Sequence, residues 1–133
     1  MKRYAKKRVR RRQAGSLSVE LALILTFVLM PMLAGVVDLG QILMAQAVVT
    51  RAAREGALAA SRNRNAVQAA NQYMQNAGYN LALTSVTATG GGTTGSPVTV
   101  TVQYNTSQMV IIPWESISAN LGQVVGSATQ RQS

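Results

Sequence analysis

The chain has 133 residues, with 13 Lys+Arg against 4 Asp+Glu, a formal net charge of +9, and neither Cys nor His. That length holds one domain with a modest core. Without Cys or His, thiolate and imidazole metal sites and the usual nucleophile–base pairs are excluded. The four acids, Glu20, Asp38, Glu55 and Glu115, stand far apart in the chain, so an enzyme is not expected, nor a cofactor.

The charge is concentrated at one end. Lys2, Arg3, Lys6, Lys7, Arg8, Arg10, Arg11 and Arg12 supply eight of the 13 basic residues. Beyond residue 15, five basic residues face four acidic ones, a net of +1. Such a cluster fits either a nucleic-acid-binding arm or a topology signal, and the apolar run next to it favours the second. Residues 21–37 read LALILTFVLMPMLAGVV, seventeen positions without a charge. As a helix this run is about 26 Å long, just short of a hydrocarbon core, and Leu39, Ile42, Leu43 and Met44 extend its apolar character. Ten of the seventeen are Leu, Ile, Val or Phe. Their insertion gains on the order of 3–6 kcal/mol before Thr26, Pro31 and Gly35 count against it. A core helix of a soluble protein would need more covering chain than this sequence has. The positive-inside rule keeps Lys6, Lys7, Arg8, Arg10, Arg11 and Arg12 in the cytoplasm and sends the chain beyond residue 42 outward. The expected placement is a single pass of the inner membrane, with the lipid bilayer as a partner and no nucleic acid.

A secretory signal peptide would place its small-residue cleavage site after the apolar run, where Leu33-Ala34-Gly35 offers no A-x-A pattern. The better small-residue junction precedes the run, in RRRQAGSLSVELALIL. A basic leader, Gly15, four residues and then Glu20 at the head of the apolar helix form the pattern of class IV prepilins. Gly15, Val19-Glu20-Leu21-Ala22-Leu23, Pro31, Gly35-Val36-Val37-Asp38-Leu39-Gly40 and Ala52-Ala53-Arg54-Glu55-Gly56-Ala57 together resemble the TadE-like pseudopilins of the tight-adherence (Flp-type, type IVc) pilus. The resemblance covers residues 10–60 and departs from the family at Leu21, where an aromatic residue is common.

The resemblance implies cleavage after Gly15 by a prepilin peptidase, which makes Ser16 the first residue and Glu20 the fifth of the mature chain. It also implies the other partners: the major pilin, other minor pilins and the inner-membrane assembly platform, in a system serving adhesion and biofilm formation. Physical chemistry is consistent with this pattern. A carboxylate at the head of a membrane helix is costly unless it stays at the interface or finds a partner. The new Ser16 amine, with a pKa near 8, is such a partner on a neighbouring subunit. Pro31 removes the hydrogen bond to the Phe27 carbonyl and predicts a kink. Asp38 marks the outer membrane boundary.

Past the span, Ile42, Ala45, Val49, Ala52, Gly56 and Ala60 form one apolar stripe at helical spacing, opposite Gln46, Thr50, Arg51 and Arg54. Ala52, Gly56 and Ala60 make a small-xxx-small ridge that allows close helix approach. The stripe packs either on its own domain or on filament neighbours. Helical pattern continues through residues 66–74 to a stop at Gly78. Residues 81–89 and the strictly alternating 98–104 read as strands joined by a flexible Gly-rich turn. A third strand is expected at 109–112, ended by Pro113-Trp114, and a last one near 124–129. Trp114 is expected in the core.

The expected fold is α+β and pilin-like: a long N-terminal α-helix, transmembrane then amphipathic, with a small C-terminal antiparallel β-sheet. Its parts are a basic leader (1–15), a transmembrane helix (16–42), an extracytoplasmic helix (43–78) and a β-rich region (79–133). The expected function is that of a processed minor pilin. The alternative is an uncleaved, single-pass, membrane-anchored extracytoplasmic binding protein.

Overall fold

The computed structural model describes residues 6–109, 111 and 122–133, with side-chain surroundings from residue 15 onward. The expected strand at 109–112, Pro113 and the core placement of Trp114 therefore lie largely or wholly outside the described residues. Helix α1 (Lys6–Ile24) passes through a five-residue π-helical turn at Leu25–Leu29 into α2 (Met30–Ser61). A shorter helix α3 (Ala66–Asn76) and a 3-10 turn (Leu81–Leu83) lead to strands β1 (Thr84–Gly90), β2 (Pro97–Asn105) and β3 (Gln123–Arg131). The architecture is α+β: a long N-terminal apolar helix and a small antiparallel sheet. By packing, the chain divides into two units, one ending at Val37 and one running Asp38–Ser133.

In the first unit every side chain from residue 15 to residue 33 is exposed. Phe27 keeps 75% and Met30 70% of their surface open, so this apolar run has no protein cover of its own. The π turn lies directly before Pro31, where an α-helical turn would press the proline ring on the carbonyl four residues back. Thr26 Oγ1 donates to the Ala22 carbonyl at 2.8 Å, a local bond that helps keep backbone groups paired around such an irregularity.

The second unit is built on the alternation of β2. Val98, Val100, Val102 and Tyr104 point inward and are buried, while Thr99 and Thr101 point to the other face, as a two-residue period requires. Strand order is β1-β2-β3 with both pairings antiparallel. The inner face covers Ile42, Ala45, Val49, Ala52, Ala53, Gly56 and Ala57 of α2, all buried. The small-residue stripe is therefore packed on its own domain. Gln46 and Thr50, expected on the opposite face, instead meet β3. Gln46 Nε2 donates to the Val125 carbonyl at 2.9 Å, and a Cβ on Gly126 would lie 2.8 Å from Thr50 Cα. A side chain at residue 126 would hold the strand off the helix, which explains a glycine there.

Three expectations need correction. The helix expected to run unbroken to Gly78 stops at Ser61, and α3 starts anew at Ala66. Residues 61–65 read SRNRN, with no apolar side chain to bury. Asn63 turns the chain with φ 56, and Asn65 caps α3 by accepting from the Gln68 N–H at 3.0 Å. The second correction concerns residues 109 and 111: Met109 closes a turn, donating its N–H to the Thr106 carbonyl at 2.9 Å, and Ile111 lies in a bend, so neither is in a strand. The third concerns the Gly-rich connection of β1 and β2, which is anchored rather than free. Gly92 N–H donates to Gln132 Oε1 at 2.9 Å and Gly95 N–H to the Gln132 carbonyl at 2.8 Å. Gln132 also bonds Asn63, and Ser133 N–H donates to the Ser61 carbonyl at 3.1 Å, so the end of β3 is tied to the break after α2. Tyr79 and Tyr104 meet edge to face with centroids 5.0 Å apart. Burial, then Tyr104, pushes the Tyr79 hydroxyl above its ordinary pKa of 10.0.

Candidate processing and assembly segment

The segment that carries the expected chemistry begins inside α1. Lys6, Lys7, Arg8, Arg10, Arg11 and Arg12 occupy its first two turns. Gly15 and Ser16 continue it in helical conformation and are both exposed. Glycine is about 1 kcal/mol less favourable than alanine inside a helix, so Gly15 is where α1 unwinds at least cost. Unwinding is what a peptidase needs in order to lay a peptide bond in its active site. A Cβ placed on Gly15 meets nothing within 4 Å; a larger side chain is accommodated there without disturbing the fold.

Glu20 lies one and a half turns further on, exposed at the head of the apolar run. It is surrounded by Leu17, Val19, Leu21, Leu23 and Ile24, each with about half or more of its surface open. A carboxylate in that setting is costly within a bilayer unless it finds a partner or stays at an aqueous boundary. Pro31 is exposed and comes just after the π turn, so the expected irregularity at that point takes the form of a widened turn.

Sequence reasoning missed what Asp38 does. Expected only as a boundary marker, it is 6% exposed, and its Oδ1 accepts the Ile111 N–H at 3.0 Å across 73 residues of chain. Its position on the stripe of Ile42, Ala45 and Val49, four, seven and eleven residues before them, was the available signal that it faces inward. A separate polar surface, between the end of α2 and the start of α3, is an open groove lined by Glu55, Arg62, Arg64, Asn65 and Gln68.

Among the described residues, one helix is long and apolar enough to cross a membrane, within Gly15–Ser61, and none of its most apolar stretch is buried. This agrees with a single-pass membrane protein. No curated protein and no solved structure shows significant similarity to the chain. A family model does match. It begins at Gly15, which excludes the basic residues before it, and ends at Leu58, one turn before the break after α2. Over residues 15–58, about a third of its length, the chain is similar to the family described as TadE-like protein.

Proposed function

We propose that the chain is a minor pilin or pseudopilin of a tight-adherence pilus, cut after Gly15 by a prepilin peptidase and contributing to assembly. The observation that carries this reading is that the TadE-like match begins at the candidate cleavage residue and covers the exposed apolar run that follows it. In this reading residues 1–15 stay in the cytoplasm and set the orientation, and the chain beyond about residue 42 is on the outer side of the inner membrane. After cleavage the Ser16 amine of one subunit pairs with Glu20 of another, which offsets two desolvation penalties together. The major pilin, other minor pilins and the assembly platform are its protein partners. Adhesion and biofilm formation are the roles of the fibre, and the chain itself performs no catalysis.

The test is the mature N-terminus. A Gly15→Val variant, which the open surroundings of Gly15 accommodate, accumulates at precursor mass, while the unaltered chain is found by mass spectrometry to begin at Ser16. An unaltered chain that begins at Met1 in cells holding the peptidase would instead establish the uncleaved membrane-anchored binding protein.

A further inference from the structure

The lower end of the second unit carries an exposed apolar collar. Asp38 opens that unit, and directly after it α2 presents Leu39, Leu43 and Met44 with 53%, 61% and 69% of their surfaces open. Ile111, 62% exposed, is held at the same level by its N–H bond to Asp38. The loop bearing Ile111 is fixed where it leaves and rejoins the sheet: Met109 N–H donates to the Thr106 carbonyl, and Thr106 N–H donates to the Gly122 carbonyl at 3.0 Å. The exposed position of Ile111 thus rests on defined hydrogen bonds.

Depth along the helix indicates what covers this collar. Glu20 and Asp38 are eighteen residues apart, about 27 Å at 1.5 Å per residue, slightly less than a hydrocarbon core of about 30 Å. By chain length alone the uncharged run between them falls short of that core, and the residues directly after Asp38 complete its thickness. A carboxyl group there must be covered, and the fold covers it. Above Asp38 the next charged residue of the helix is Arg51, about 20 Å further on, so no charged side chain in between resists partial immersion. At 100° per residue Leu39 and Met44 point about 140° apart around the helix. A single neighbouring helix covers one stripe of such a surface, whereas a lipid layer surrounds it.

We infer that the second unit is seated in the interfacial layer of the bilayer, with Leu39, Leu43, Met44 and Ile111 inserted among lipid headgroups and upper acyl chains. Asp38 holds the Ile111 turn down against the membrane. The span therefore ends past Asp38, and the folded unit meets lipid directly rather than standing clear of it on its helix. This inference rests on the membrane-spanning reading of the apolar helix and goes beyond it.

The chain has no cysteine, so single cysteines give single labels. Full-length Ile111→Cys, Leu43→Cys, Val28→Cys and Thr87→Cys variants, each bearing an environment-sensitive fluorophore, are reconstituted in phosphatidylcholine vesicles with lipids brominated near the headgroup or deep in the chain. The labels at 111 and 43 should lose fluorescence mainly to the shallow quencher, the label at 28 mainly to the deep one, and the label at 87 to neither. Quenching at 28 without quenching at 111 overturns the seating and leaves the span intact; no quenching at 28 removes the span, and the seating with it. Self-quenching at 43 and 111 that grows with protein density, without lipid quenching, assigns the collar to a second copy and overturns the inference.

Discussion

At the scale of single residues, two glycines set how closely sheet and helix approach, for different reasons. A Cβ on Gly56 would meet the Ala66 carbonyl oxygen and Val100 Cγ1 at 3.0 Å, one backbone and one side-chain neighbour. A Cβ on Gly126 would lie 2.8 Å from both Thr50 N and Cα and 2.9 Å from the Val49 carbonyl carbon. All three are helix backbone and cannot turn aside. Gly126→Ala must push β3 away from α2 and strain the Gln46–Val125 bond. Overpacking of this kind costs about 1–3 kcal/mol. The expected outcome is a lower denaturant midpoint for the detergent-solubilised variant, followed by circular dichroism of the β region. Gly40→Ala is the contrasting case, because a Cβ there meets nothing within 4 Å. It should be neutral or stabilising by up to about 1 kcal/mol, the helix preference of alanine over glycine.

At the scale of elements, the break between α2 and α3 lets the chain fold back beside the sheet. Alternation made β2 legible from its valines and threonines, and the apolar 3.6-residue period made α2 legible, since both patterns are local. The break was not read, because the pattern of Ala66, Ala70 and Met74 is helical on both interpretations. Its signal was nonetheless present in Asn65 and Gln68, the spacing of an N-cap and its third helical residue. Asn65 Oδ1 accepts the Gln68 N–H in the structure, and Ala66, Ala70 and Met74 are buried against the remainder of the core. Asn65→Ala leaves that N–H without its cap and should cost about 1 kcal/mol, read as a lower thermal midpoint. Asn65→Asp, which keeps the accepting oxygen, should retain most of the stability. The widened turn at Leu25–Leu29 belongs to this scale too: the sequence marked where the helix must adjust to Pro31, and the structure shows the form of the adjustment.

At the scale of the whole molecule, charge and apolarity are separated along the chain. The +9 of the full sequence falls to +1 once residues 1–15 are set aside; the excess belongs to that N-terminal segment, to which the proposed function gives the setting of topology. Replacing Lys6, Lys7, Arg8, Arg10, Arg11 and Arg12 together by Gln should therefore disturb orientation and leave the fold of residues 38–133 unchanged. With the positive-inside bias reduced, a fraction of the variant chains should place that unit in the cytoplasm. Loss of its protease accessibility in spheroplasts, with gain in inverted vesicles, is the measurement that detects this. Uniform orientation of the variant would show that the leader charge does not determine topology.

What the sequence by itself determined rests on quantities that add up residue by residue: the apolar length of the span, the basic excess on one side, the alternation of β2, and the order of motifs around Gly15 and Glu20 that carries the resemblance to TadE-like proteins. Each is a property of a short stretch of chain in a given solvent, so no partner is needed to read it. What only the tertiary structure decided depends on residues distant in sequence. The stripe of Ala45, Val49, Ala52 and Gly56 could have faced a neighbour, and its own sheet covers it. Asp38 could have been a plain boundary acid, and a backbone N–H 73 residues away occupies it. Small side chains and short acids permit close approach without specifying what approaches. The choice falls to whichever surface the fold brings within contact distance.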